Sequence, residues 1–166
     1  MPLLPRLLRH LTTTAASGKR AFPVATLKAI EDVIAQGERL HRAEVRLVIE
    51  AALPLIDVWR HVNARDRARE LFSHYRVWDT EGNCGLLVYI NLADHKVEII
   101  TDRAVGRALT PEEWRDICGL MTQGFRRGIF HDSMISALAA LNHKLEQHFP
   151  DTGERRNQLP DTPLIL

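Results

Sequence analysis

The chain has 166 residues, of which 45% are hydrophobic and 26% charged. That balance builds one buried core, covering about 70% of the unfolded surface at this length, and excludes a disordered chain. With 22 Lys and Arg against 21 Asp and Glu the formal charge is +1, and basic residues stand among acids, as at 65–69, so nothing in the charge pattern gathers nucleic acid.

Residues 1–10 are apolar but broken by Arg6 and Arg9, which denies them an export core or a membrane span of roughly 18–20 residues. The first placement is therefore the cytoplasm, and the alternative is that residues 3–11, within an N-terminal extension over 1–21, form a short amphipathic helix lying on a membrane surface or a partner. After loose punctuation at 12–19, Pro23 takes a first helical position and Leu27, Ile30, Val33, Ile34 and Leu40 recur at helical spacing. This predicts a helix over 24–41, weakened by Gly37.

Val45, Leu47, Ile49 and Ala51 alternate with Arg46, Val48 and Glu50, which predicts a strand over 45–51 whose second face is partly covered. Apolar spacing from Leu55 to Tyr75 predicts helix, with Asn63 a cap that splits it. The nearly continuous apolar run from Leu86 to Ile90 marks a central strand over 85–92, and a short connection makes 96–102 its hairpin partner. Thr110-Pro111-Glu112-Glu113 is a capping box with proline at the first helical position, so a helix starts at Pro111 and ends at Gly128. A last helix reaches about His148, before Pro150. Residues 151–166 form a tail whose apolar Leu159, Leu164, Ile165 and Leu166 must pack on the domain or on another chain.

The order of these elements predicts an α/β fold: a three-layer α/β/α sandwich over 22–150, with a small mixed sheet of about four strands and helices on both faces. A right-handed crossover makes the first two strands parallel, and the hairpin makes the third antiparallel to its neighbour. Three separate segments then converge on one rim, carrying Glu44, the loop residues Asp79, Glu81, Asn83, Cys84 and Gly85, and Asp102 with Arg103. Oxygens from Glu44, Asn83 and Asp102, helped by Asp79 and Glu81, suit a divalent cation such as calcium or magnesium; solvation, or pairing with Arg103, is the competing account of the same carboxylates.

Ile90 stands where a phosphate-binding cysteine loop would place an arginine, so Cys84 reads as a small buried thiol, and Cys118 lies on the apolar face of its helix. Two distant cysteines form neither a secreted disulfide framework nor a zinc site and point to a reducing compartment, the cytoplasm. The 8 histidines include no zinc-protease pair, and no Gly-rich nucleotide loop or nucleophile elbow occurs.

Three stretches carry a likeness: Asn83-Cys84-Gly85-Leu86-Leu87-Val88-Tyr89-Ile90, then Asp94-His95-Lys96-Val97-Glu98-Ile99-Ile100-Thr101-Asp102-Arg103, then Phe125-Arg126-Arg127-Gly128. Over roughly 22–162 the chain resembles the TPM-domain family, and the tail Asn157-Gln158-Leu159-Pro160-Asp161 resembles its short cytosolic bacterial branch. The resemblance implies an α/β/α sandwich, a phosphatase activity in some members, bound calcium in others, and a LemA-type membrane protein as partner. The family's Asp/Arg/Asn-Asn-Gly loop corresponds to Asn83-Cys84-Gly85, and its Asp-Arg-Gly-Ile strand end to Asp102-Arg103-Ala104-Val105. Both are altered here: Asn83 offers a neutral oxygen in place of an acid, and Ala104 lacks glycine's backbone freedom.

Two functional readings follow. The first is a protein-interaction or accessory module using the rim around Glu44, Asn83 and Asp102, or the 157–161 segment. The second is a metal-assisted phosphomonoester hydrolase, in which a cation held by Glu44 and Asp102 activates water and Arg103 neutralises phosphoryl oxygens.

Overall fold

The computed structural model describes residues 3–153 and 157–166. Strands β1 (Glu44–Glu50), β2 (Gly85–Asn91), β3 (Lys96–Thr101) and β4 (Leu164–Ile165) form one sheet in the order β3-β2-β1-β4. β1 runs parallel to β2 and β4, and β2 pairs antiparallel with β3. Around the sheet lie helices α1 (Leu3–Thr12), α2 (Ala15–Ala21), α3 (Val24–Gly37), α4 (Leu55–Trp59), α5 (Ala64–His74), α6 (Arg103–Ala108), α7 (Pro111–Arg126) and α8 (Phe130–His148).

The expected three-layer α/β/α architecture is present. On one face Val45, Leu47, Ile49, Leu86, Val88 and Ile90 meet Ile34 of α3, Met121 of α7 and Leu138 of α8. On the other, Val48, Leu87 and Tyr89 meet Ala68 and Leu71 of α5 and Leu159 of the tail. The two-residue strand period puts alternate residues of β1 and β2 into opposite cores.

Local signals place most of the boundaries. Thr110 caps α7 through a reciprocal bond pair with Glu113, and Asn63 Oδ1 accepts from the Asp66 N–H at the start of α5, splitting 55–75 as expected. Gly128, at φ 74°, follows α7. Three details differ. α3 stops at Gly37, where a Cβ would lie 2.2 Å from the Asn142 side chain of α8, and Leu40, expected on the buried helical face, is exposed. α2 and α6 were not expected, because seven and six residues are too short to display a hydrophobic period.

The third difference is the second face of β1, which is fully buried and not partly covered, although it carries Glu44, Arg46 and Glu50. Buried charges need partners. The Arg46 guanidinium donates to the carbonyls of Pro160 and Thr162, both at 2.8 Å, while Arg67 of α5 forks onto Glu50 and Tyr89 Oη donates to the same carboxylate at 2.5 Å. Burial, then the Glu50 charge, pushes the Tyr89 phenol far above its ordinary range, so it acts as a donor at any physiological pH. Asn91 extends this network, donating to Tyr89 Oη at 3.1 Å and accepting from the Asp94 N–H at 2.8 Å.

Asp94 in turn holds α1. Arg6 reaches it at 2.7 Å and His10 Nε2 stands at 3.1 Å, while His10 Nδ1 accepts from the Leu53 N–H at 2.9 Å. Accepting at Nδ1 leaves the His10 proton on Nε2, the nitrogen nearer the carboxylate. Burial raises the Asp94 pKa, but the Arg6 hydrogen bonds, with the nearby His10 ring, outweigh it and hold the carboxyl below its ordinary value. A carboxyl with a folded pKa below its unfolded value stabilises the fold above the unfolded value, and that contribution is lost as pH falls through the folded one. Asp94→Asn should therefore lower unfolding free energy at pH 7 by about 2–4 kcal/mol. In urea titrations the gap between the two proteins should close below about pH 4, and a gap independent of pH would exclude the charge as its cause.

Candidate functional site

The rim lies at the amino ends of β1 and β2 and is built by backbone. Register pairs Glu44 with Gly85, the Glu44 N–H donates to the Cys84 carbonyl, and the Asp102 N–H donates to the Gly85 carbonyl at 2.8 Å. The three expected segments thus meet. The loop between α5 and β2 contains left-handed residues at Arg76, Gly82 and Asn83, with φ of 52°, 76° and 54°. Asparagine tolerates that region better than most residues, which accounts locally for Asn83. Thr80 Oγ1 accepts from the Cys84 N–H and closes the loop, and the short turn Glu81–Asn83 packs against α6.

The individual side chains have distinct surroundings. Glu44 is 1% exposed, and its Oε2 accepts from the backbone N–H groups of Gln158 and Leu159 at 3.2 and 3.0 Å, tying the tail to β1. Asp79 is exposed and pairs with Arg76 at 2.5 Å. Glu81 is exposed, its own N–H donating to the Gln158 side chain at 2.8 Å. Cys84 is buried, with its thiol donating to the Gly82 carbonyl at 3.2 Å. Gly85 is needed for packing: a Cβ there would stand 1.8 Å from the Val77 carbonyl oxygen. Asp102 Oδ1 caps α6 by accepting from the Arg103 N–H at 2.6 Å, while its Oδ2 is buried with no partner among the described residues. Arg103 is exposed at the first position of α6.

The rim therefore divides into an inner set that holds the fold together and an outer set open to solvent. One outer residue escaped the sequence reading. Trp78 is 48% exposed, with the Arg76 guanidinium 5.9 Å from its ring centroid. The apolar period of α5 ends before Trp78, so spacing assigns it no face; an isolated tryptophan next to a turn was the available signal. On the tail side, Glu38, Arg39, Asp151, Asn157 and Asp161 line a cleft of about 370 Å³, with Asn157 donating to Asp161 at 2.6 Å.

Among the described residues no group of three His, Cys, Asp or Glu side chains stands together as a metal site. Of the trio Glu44, Asn83 and Asp102, Glu44 serves the tail amides, Asn83 is exposed, and Asp102 Oδ2 is the buried oxygen left unsatisfied. Cys118 is half-buried beside β3, its thiol pushed up to about 11 by burial and the Glu98 charge, which keeps it protonated and unreactive at neutral pH.

Two exchanges test this division. Glu44→Ala leaves two backbone donors without their acceptor and should cost about 1–3 kcal/mol in chemical denaturation, together with faster proteolysis of the tail. Gly85→Ala must displace the Val77 carbonyl and should cost more than about 3 kcal/mol; a smaller loss would mean that the loop yields easily.

No curated protein matches the chain. Among solved structures, the chain is similar to the BA42 protein of the psychrophilic bacterium Bizionia argentinensis, determined by NMR. The match has a TM-score of 0.77 at 21% identity and covers 87% of this chain and 95% of that one, a likeness of fold. The family model described as TPM domain matches residues 19–144, which spans β1, β2, β3 and most of the packed helices. This protein belongs to the TPM-domain family.

Proposed function

We propose that this TPM domain is a protein-binding module whose partner docks on the outer rim at the amino ends of β1 and β2. The observation that carries this reading is Trp78, half in solvent beside Arg76, on a turn held by the Arg76–Asp79 ion pair. Tryptophan and arginine on a preformed turn are the side chains from which interface hot spots are made, because they bury large area with little ordering cost. Exposed Asn83, Glu81 and Arg103 supply a polar border around them. The partner class is a membrane-associated protein of the kind the family likeness implies, and the two free cysteines suit a cytoplasmic setting.

One observation favours the second reading, a cation-assisted phosphomonoester hydrolase: Asp102 Oδ2 is buried and unsatisfied, and an oxygen-seeking cation such as calcium or magnesium would find a ligand there. Asn83 and Arg103 would be its neighbours in that case, Arg103 meeting the anionic oxygens of a phosphoryl group.

Both readings are tested on one sample. A partner is captured from detergent-solubilised membranes of the source organism, purified and titrated calorimetrically against the chain. Trp78→Ala should weaken that purified pair by about tenfold or more, a loss of about 1.4 kcal/mol or greater, without moving the thermal midpoint. Equal affinity of the two proteins would refute the rim as the docking surface. Hydrolysis of a chromogenic phosphomonoester that depends on calcium, magnesium or manganese and disappears in Asp102→Ala would establish the enzyme reading instead.

A further inference from the structure

At the opposite end of the sheet, α1 is turned inside out for a surface helix. Its basic and polar side chains face the protein, where Arg6 and Arg9 reach Asp94 and His10 is buried, while Leu4, Leu8 and Leu11 are 69%, 54% and 62% exposed. These leucines recur at i, i+4 and i+7 and make one ridge. α1 packs against α4, which also leaves Leu55, Ile56 and Trp59 in solvent, Trp59 at 63%. Six large apolar side chains exposed on two helices packed together are rarely left uncovered.

Charge identifies the cover. The first thirty residues contain no Asp or Glu but carry Arg6, Arg9, Lys19, Arg20 and Lys28; Arg6 and Arg9 pair with Asp94 and Lys28 with Glu31 and Asp32, so the charge presented outward is that of exposed Lys19 and Arg20. Basic residues flank α1 on two sides. One neighbouring cleft, about 440 Å³, is lined by Arg20 and His95 and by Arg9, which also reaches Asp94. The groove on another side brings His61, Arg65 and Lys96 beside Leu3, facing Asp94 and Glu98. Asp94 is paired with Arg6 and Arg9, and Glu98 with Arg65, which leaves exposed Lys96 as the cation this groove offers a ligand.

We propose that the α1–α4 face is a docking surface for an anionic lipid bilayer: the leucine ridge and Trp59 enter the boundary between headgroups and acyl chains, and exposed Lys19, Arg20 and Lys96 meet the headgroup phosphates. An apolar ridge bordered by Arg and Lys, with tryptophan at its edge, matches the chemistry of that boundary. The Asp94 clamp presents the ridge ready-made, so binding requires no folding step. β1 has seven residues, which separates this face from the rim by about 23 Å along the strands and leaves the rim free.

The experiment is cosedimentation of the full chain with vesicles of phosphatidylcholine alone, or mixed equally with phosphatidylglycerol. The chain should pellet with the anionic vesicles, bind the neutral ones about tenfold less or weaker still, and be released as salt rises. Leu8→Glu and Trp59→Ala should each reduce binding to anionic vesicles with the thermal midpoint retained. If Leu8→Glu fails to fold, Arg20→Glu, a change at an exposed residue off the ridge, should still remove the preference for phosphatidylglycerol. A chain that stays in the supernatant with both vesicles overturns the proposal, as does equal binding to both. A dimer in sedimentation equilibrium that Leu8→Glu dissociates also overturns it, since a second copy then covers the face.

Discussion

The structure turns on a buried strand that carries three charges. β1 is covered on both faces, yet Glu44, Arg46 and Glu50 all project to the same side. A charge removed from water costs several kcal/mol unless it finds matched partners, and none of these three finds them locally. Glu44 takes amides at 158 and 159, Arg46 takes carbonyls at 160 and 162, and Glu50 takes Arg67 and Tyr89. These requirements bring the tail across the sheet, add β4 to its edge beside β1, and position α5 over the remainder of the face.

The two ends of the parallel pair consequently have different characters. At the amino end the backbone turns sharply through left-handed residues, and the carboxylate deepest in the protein is occupied by the tail. What is presented outward is an aromatic ring, a guanidinium and a few short polar groups, a surface for recognition. At the carboxyl end a continuous polar chain runs from Arg67 through Glu50, Tyr89, Asn91 and Asp94 to Arg6 and His10. It fastens α1 by its polar side, and that attachment is what leaves the leucines outside.

The candidate rim was legible in part. Alternation in 45–51, the apolar run at 86–90 and the short hairpin were sufficient to bring Glu44, the 79–85 loop and Asp102 to one edge, because parallel neighbours joined by a right-handed crossover start at the same end. The role of each side chain was not legible. Glu44 looks like any carboxylate at a strand end until Gln158 and Leu159, more than a hundred residues later, are seen donating to it. Asp102 reads as the end of a strand, whereas it caps α6. Gly85 reads as part of a ligand loop, whereas the space it leaves is filled by the Val77 carbonyl. Trp78 had no periodic context to mark it.

What the sequence determined by itself is what depends on near neighbours: the capping box at Thr110, the Asn63 cap, the hairpin, the strand periods and the amphipathic character of 3–11 all express interactions within a few residues, which the chain carries in any fold. What the tertiary structure alone decided is which way those elements face. Pattern at 3–11 shows a helix with an apolar and a basic side but not which of them meets the protein; Asp94, placed by the turn after β2, decides this by drawing Arg6, Arg9 and His10 to itself. The orientation is set by a buried carboxylate more than eighty residues away, and pairing over that distance is a property of the assembled sheet.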